Sequence, residues 1–135
     1  MNLKENVNSI DEFKYLYDQT FPNKIDKNLL VTSFKNTLYS VSVYEKNQIV
    51  GYGRLLGDGI LYIYIHNIMV LPKYQKKGIG TLIMKNLLDK ISLIKKKNPN
   101  LNVYLGSFRG KENFYRKFGF ITREEKNMGS VMMLK

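Results

Sequence analysis

Ile68-Met69-Val70-Leu71-Pro72-Lys73-Tyr74-Gln75-Lys76-Lys77-Gly78-Ile79-Gly80-Thr81 is the stretch from which the rest of the chain is read. Its first residues close an apolar run, Leu61 to Val70, rich in β-branched and aromatic side chains. Apolar on both faces, that run has the pattern of a central strand. Pro72 ends it, because proline has no N–H to give to a ladder. From Gly78 the period changes. Ile79, Leu82, Ile83, Leu87, Ile91 and Ile94 fall on one stripe at helical spacing, which predicts a helix over 78–97, stopped by Asn98-Pro99-Asn100. Strand, short loop, Gln-x-x-Gly-x-Gly and helix thus follow one another. Glycines at a helix start let the backbone turn sharply and leave N–H groups uncovered. With the positive end of the helix dipole they form an anion site suited to a pyrophosphate. Lys76 and Lys77 add charge at the same mouth. Other phosphate loops fit worse: Gly-x-x-x-x-Gly-Lys-[Ser/Thr] is absent, and Ile83 stands where a dinucleotide fingerprint needs its third glycine. Taken alone, the Gly78-x-Gly80 pair also fits a helix start that binds nothing.

Working outward, Ser9-Ile10-Asp11-Glu12 has the form of a capping box, followed by Ile10, Phe13, Leu16 and Tyr17 at helical spacing and closed by Pro22. A second helix is expected after Asp26, burying Leu30, Val31, Phe34 and Leu38. Tyr39 to Tyr44 alternates as a strand does, Glu45 to Gln48 is a polar turn, and Ile49 to Leu56 is the hairpin partner. Gly57-Asp58-Gly59 makes another turn. Beyond the long helix, Leu101 to Leu105 reads as a strand, Gly110 to Lys117 as a short helix, and Phe120 to Arg123 and Val131 to Leu134 as two last strands. The expected fold class is α/β, a mixed sheet with a strand–helix–strand crossover at its centre.

A chain of 135 residues with 44% hydrophobic and 24% charged residues suits one core, and no repeat or Pro/Gly/Ser-rich linker divides it, so residues 1–135 are expected to form a single domain. The longest apolar run, Gly59 to Leu71, is interrupted by His66 and Asn67 and falls short of the roughly 20 residues that span a bilayer. The N-terminus lacks the apolar segment of a secretory signal. Without cysteine there is no disulfide, thiolate zinc site or cysteine nucleophile. One histidine and dispersed acids suggest no metal site, and no Gly-x-Ser-x-Gly elbow supports a serine hydrolase. A cytoplasmic protein without membrane attachment is expected. The net charge of +11 is compatible with a polyanion partner, but the lysines are scattered, only Lys95-Lys96-Lys97 forms a run, and alanine is absent altogether. That usage points to AT-rich codons rather than to nucleic-acid binding, and a basic surface would still help to recruit a phosphate-rich ligand.

The stretch from Asn67 to Leu88 resembles the central motif of GNAT N-acetyltransferases, [Arg/Gln]-x-x-Gly-x-[Gly/Ala] after a strand ending in Val-x-Pro. Here its core is Gln75-Lys76-Lys77-Gly78-Ile79-Gly80. Downstream, Asn113-Phe114-Tyr115-Arg116-Lys117-Phe118-Gly119-Phe120 resembles the second signature of the same superfamily, Phe-Tyr-x-Lys-x-Gly-Phe. The resemblance covers roughly Tyr39 to Leu134. It implies a sheet of about six to seven strands flanked by four helices and splayed at one strand pair, with acetyl-CoA as co-substrate and an amine as acceptor. Carried over, main-chain groups of Ile68, Met69 and Val70 hold the pantetheine arm and thioester. The turn of Gln75, Lys76, Lys77, Gly78, Ile79, Gly80 and Thr81 holds the pyrophosphate.

The resemblance also implies a direct attack by a neutral amine on the thioester. The amine must shed a proton, since an alkylammonium pKa of about 10.4 leaves little free base at neutral pH. A strand N–H near Val70 serves as oxyanion donor. Tyr115 stands at the family's general-acid position, and a phenol near 10 donating to a thiol near 8.5 is uphill by roughly 2 kcal/mol, tolerable for a positioned donor. His66, the one histidine, is the candidate base or proton relay. Tyr64, His66 and Ile68 are expected on one strand face, similar to the histidine-bearing strand of arylalkylamine N-acetyltransferases, but Tyr64 stands where a first histidine would, so His66 is equally readable as a sheet-face residue. Tyr52, Arg54 and Asp58 sit near the preceding hairpin and are candidates for setting acceptor specificity. A small-molecule primary amine is the expected acceptor. Acetylation of a protein lysine or N-terminus, or a non-catalytic basic nucleic-acid module, are the alternatives, and a homodimer is compatible with each.

Overall fold

The computed structural model describes residues 1–135. Ser9 Oγ accepts from the Glu12 N–H at 3.3 Å and opens α1 (Ile10–Thr20). The return arm of the capping box is not made, because the Glu12 carboxylate accepts from the Tyr44 hydroxyl at 2.6 Å instead. Asp26 caps α2 (Lys27–Lys35) through the Asn28 N–H at 2.8 Å. Of the four side chains expected inside, only Leu30 is buried; Phe34, four residues on along the same stripe, is half-buried. Val31 lies 100° around the helix and Leu38 beyond its end, and both are exposed.

Strands β2 (Tyr39–Glu45) and β3 (Gln48–Gly57) form a hairpin through Lys46 and Asn47, both at positive φ, as a tight two-residue turn requires. The alternation expected in β2 is not what is seen: Tyr39 to Tyr44 are all buried, because the sheet is covered on both faces. A four-residue strand that the sequence did not announce, β1 (Asn2–Glu5), pairs antiparallel with β2. Its Asn-Leu-Lys-Glu composition suits a charged sheet edge better than a core. β4 (Tyr62–Val70) is antiparallel to β3, and β5 (Asn102–Leu105) is parallel to β4 after the crossover helix α3 (Ile79–Lys97). The sheet order is β1-β2-β3-β4-β5.

The two sheet faces are assigned by β3. Tyr52 meets the Phe13 ring edge-on at 5.2 Å, and Phe13 meets Phe34 at 5.0 Å, so this face carries α1 and α2. Gly51 and Gly53 face the other way. A Cβ on Gly51 would come within 2.8 Å of Ile79, and one on Gly53 within 2.7 Å of Ile68 and Ile83. Helix α3 therefore lies directly on the β3 backbone, and Ile79, Ile83, Met84, Leu87 and Ile91 are buried there. No helix is long and apolar enough to cross a membrane.

The chain divides into two compact units, Met1–Leu105 with the whole sheet and Gly106–Lys135. The second holds α4 (Glu112–Arg116), the fourth helix expected. It holds no strand. Phe120 to Arg123 and Val131 to Leu134 were expected as the last two strands of the sheet, and neither forms one, so the sheet has five strands. The segment instead satisfies itself locally: Phe120 N–H returns to the Tyr115 carbonyl at 3.4 Å, Met128 N–H to the Arg123 carbonyl at 3.0 Å, and Arg123 Nε to the Gly129 carbonyl at 2.6 Å. β propensity makes no strand without a ladder partner, and Met132, Met133 and Leu134 are at least 90% exposed.

Candidate functional site

The parallel pairing of β4 with β5 runs from Tyr62–Asn102 to Ile65–Leu105 and stops. From His66 to Val70 the strand has β3 on one edge and no strand on the other. The change comes at a bulge. Tyr52 pairs with Met69 and Arg54 with His66, so Asn67 and Ile68 together oppose Gly53. Asn67 takes a φ of +55°, a left-handed conformation that asparagine tolerates better than most residues.

The bulge corrects one expectation. Tyr64 and His66 lie on the Arg54 face, with ring centres 5.5 Å apart, and Tyr64 stacks on Tyr104 of β5 at 5.5 Å. Ile68 does not share that face, since its side chain reaches the α3 side of Gly53. The extra residue reverses the alternation. His66 lies at the surface of its face, and partial burial of the ring, with the Arg54 charge second, holds its pKa below the usual 6.5. Met69 is fully buried and Ile68 and Val70 half-buried, so these three offer main chain rather than side chains along the open edge. Leu71 N–H donates to the Val50 carbonyl at 2.9 Å. By alternation, the N–H and C=O of Val70 therefore face the open edge. Gln75 Nε2 donates to that carbonyl at 3.1 Å, which fastens the turn back onto the strand end and leaves the Val70 N–H facing outward.

After a 3-10 turn over Pro72–Tyr74, Lys76 and Gly78 both take positive φ, and Gly78 at +86° is the N-cap residue of α3. No side chain caps this helix, and its first backbone bond is Leu82 N–H to the Gly78 carbonyl at 3.0 Å. The N–H groups of Ile79, Gly80 and Thr81 precede that bond. A Cβ on Gly78 would meet no atom within 4 Å, so the turn is open on this side. The Ile79 side chain is a core group on Gly51 and gives the turn only its backbone. Lys77 Nζ stands 5.5 Å over the Tyr74 ring, and Lys76 is exposed. Uncapped N–H groups, positive dipole and open glycine suit a pyrophosphate.

Of the residues near the hairpin, Tyr52 is a core side chain and Asp58 builds the turn into β4, accepting from the N–H groups of Ile60, Leu61 and Tyr62 at 2.8, 2.9 and 3.0 Å. Arg54 is buried and donates from Nε to Asn67 Oδ1 at 2.8 Å. Asn67, which no spacing marked, shows itself through its positive φ and through this bond to Arg54. In the second unit Tyr115 is half-buried on α4 beside Phe114, with ring centres 5.1 Å apart, and burial raises its pKa.

A family model described as an acetyltransferase (GNAT) domain matches residues 4–130. The chain is 29% identical over 93 residues to GCN5-related N-acetyltransferase 1, chloroplastic, of Arabidopsis thaliana, a match spanning 68% of this chain and 45% of that protein. Less than half the length of that curated relative is therefore represented. Among solved structures, a protein of unknown function from meticillin-resistant Staphylococcus aureus, called a probable acetyltransferase, superposes with a TM-score of 0.84 at 24% identity over 99% of this chain and 98% of that one. Aminoglycoside 6′-N-acetyltransferase complexed with coenzyme A superposes with a TM-score of 0.72 at 18% identity over 88% and 84%. At such identities these two likenesses speak for the fold, and the family model, which spans nearly the whole sequence, speaks for descent: the chain belongs to the GNAT acetyltransferase family.

Proposed function

We propose that the protein transfers an acetyl group from acetyl-CoA to the primary amine of a small molecule, by direct attack with both substrates bound. The observation that carries this reading is the adjacency of an unpaired strand edge, His66 to Val70, and an uncapped helix start at Gly78. An extended amide-bearing arm fits the first as an added strand would, and a pyrophosphate fits the second. Main-chain groups of Ile68, Met69 and Val70 hold the arm, and the Val70 N–H faces the thioester carbonyl. The turn from Gln75 to Thr81 holds the phosphates, with Gln75 bracing it. A related fold has been solved with coenzyme A, in the aminoglycoside acetyltransferase. His66, held neutral below the usual range, takes a proton from the amine, and Tyr115 gives one to the leaving sulfur. Burial raises the Tyr115 pKa, so the phenol is protonated at neutral pH and its donation to sulfur is more uphill than for a free phenol, which makes its positioning at the sulfur the decisive factor.

The test is a panel of amines, a lysine peptide included, assayed for coenzyme A release, with acetyl-CoA binding read as a rise in melting temperature. Acetyl-CoA at about 100 times its Kd adds about 2.7 kcal/mol. Gly78→Val, which forces a branched residue into positive φ beside the N–H groups, is expected to abolish the shift while the protein stays folded. Unchanged affinity in this variant would remove the turn from the phosphate site. Turnover of the lysine peptide above every small amine would move the acceptor to protein.

A further inference from the structure

Arg54 is 7% exposed, and none of the four ion pairs in the molecule includes it. Its guanidinium lies 5.5 Å from the Phe13 ring centre and 5.7 Å from that of Phe34. Nη1 donates to Thr37 Oγ1 at 2.9 Å, Nη2 to Ser33 Oγ at 3.1 Å, and Nε to Asn67 Oδ1 at 2.8 Å. A longer contact runs from Nη1 to the Ser33 carbonyl at 3.5 Å, and all four acceptors are neutral. A buried cation without a counter-ion is costly, and an apolar side chain of like volume between two phenyl rings is commonly as stable or more so. Stability alone therefore gives no reason for arginine here.

What arginine supplies is a rigid fork with one arm on the bulge. The other arms reach Ser33 on α2 and Thr37 in the link to β2. Asn67 is the residue in left-handed conformation where β4 loses its second partner, and the next three residues are Ile68, Met69 and Val70. A bulge held only by its own backbone can slip its extra residue along the strand, and such a slip turns every following side chain to the other face and re-aims every following N–H.

We propose that Arg54 is a positioning residue for the acyl transfer: through Asn67 it locks the β4 bulge and so aims the main chain of Ile68 to Val70 at the thioester. The proposal rests on the acetyl-CoA reading of that edge for its catalytic part, but the lock itself does not.

Three variants separate the lock from simple backbone tolerance. Asn67→Gly keeps the positive φ and removes the side-chain acceptor. Asn67→Asp keeps the acceptor, and Arg54→Met fills the space without donors. Amide exchange of Met69, whose N–H faces β3 opposite Tyr52, followed in the protein without substrate, is expected to speed up at least about tenfold in Asn67→Gly and Arg54→Met and to stay within about threefold of wild type in Asn67→Asp. The kcat on the best acceptor is expected to fall about 10- to 100-fold in the first two, the usual effect of an ångström-scale misplacement. The KM for acetyl-CoA should change less than kcat, because the phosphate turn at Gly78 is untouched and only the contacts of the arm shift. Asn67→Asp restores kcat. A role in stability alone would lower the melting temperature in proportion and leave kcat of the folded fraction unchanged, which overturns the proposal. Wild-type exchange and kcat in Asn67→Gly overturn it as well, even where Arg54→Met fails to fold. A wild-type protein that bound no acetyl-CoA would remove the functional reading, and the exchange rates would still decide the lock.

Discussion

The two halves of β4 are one strand under two rules. Ile63 to Ile65 are paired on both edges, with β3 and with β5, and two of the three are buried apolar residues. His66 to Val70 are paired on one edge only, start with an exposed histidine and a left-handed asparagine, and run into a helix that no side chain caps. The first half spends its backbone on the fold. The second keeps hydrogen-bonding groups in reserve in the interior of the sheet, beside an uncapped helix start, and that reserve is what a ligand can use.

The largest effect is expected from the proposed general acid. Tyr115→Phe removes one hydroxyl from a half-buried ring and leaves the β4 edge and the Gly78 turn as they are. If that hydroxyl protonates the leaving sulfur, kcat falls roughly 100- to 10,000-fold with acetyl-CoA affinity little changed. Full activity with a good acceptor would take the tyrosine out of the reaction. Next in size is the contrast between the halves themselves. With acetyl-CoA at about 100 times its Kd, amide exchange along Ile68 to Val70 should slow by up to about 100-fold and that of Ile63 to Ile65 should not change. Equal slowing in both halves would mean that the ligand stiffens the whole sheet rather than adding a strand to its open edge.

Smaller again is a change that strikes the packing of α3 on β3 and leaves the Gly78 turn untouched. Gly53→Val puts a branched side chain where a Cβ already comes within 2.7 Å of Ile68 and Ile83. Overpacking of this kind costs about 1–3 kcal/mol. Urea unfolding should show that loss, while the folded protein still binds acetyl-CoA through the Gly78 turn. Loss of binding without loss of stability would place Gly53 in the ligand site instead of under α3.

The same contrast explains what could be read in advance. The crossover was legible because Leu61 to Val70 is a β-branched and aromatic run broken only by His66 and Asn67, and the α3 stripe has a clean helical period. Gly78 was legible because a left-handed N-cap selects glycine. The open edge, by contrast, is set by where β5 stops, and nothing in Asn102 to Leu105 states that its ladder ends at Leu105. The bulge rests on one asparagine whose φ depends on its surroundings, and it sent Ile68 to the face opposite His66. Arg54 could not be foreseen as a core residue because arginine is seldom buried. β1 was hidden by its polar composition. Phe120 to Arg123 and Val131 to Leu134 misled for the opposite reason, since β-prone residues there turn back on neighbouring backbone or stay exposed.

The last and smallest prediction concerns His66, which stands where the two halves meet. Partial burial, and then the positive charge of Arg54, lower its pKa in the folded protein. The unfolded imidazole titrates near 6.5. Between that value and the lower folded one, the unfolded chain therefore holds more protons than the folded chain, so stability rises with pH in this window. The contribution is fully present above about 6.5 and is lost as pH falls through the folded pKa. His66→Gln should remove that part of the slope in urea titrations run between pH 5 and 7.5. The rate speaks to the mechanism separately. A base that must be neutral keeps working below 6.5 when its pKa is depressed, so the acidic limb of kcat/KM in the wild type is expected below 6.5. If His66 takes the amine proton, that limb disappears in His66→Gln. If the limb is unchanged while the stability slope is lost, His66 is a titrating surface group of the sheet, and the amine gives its proton to water at the open edge.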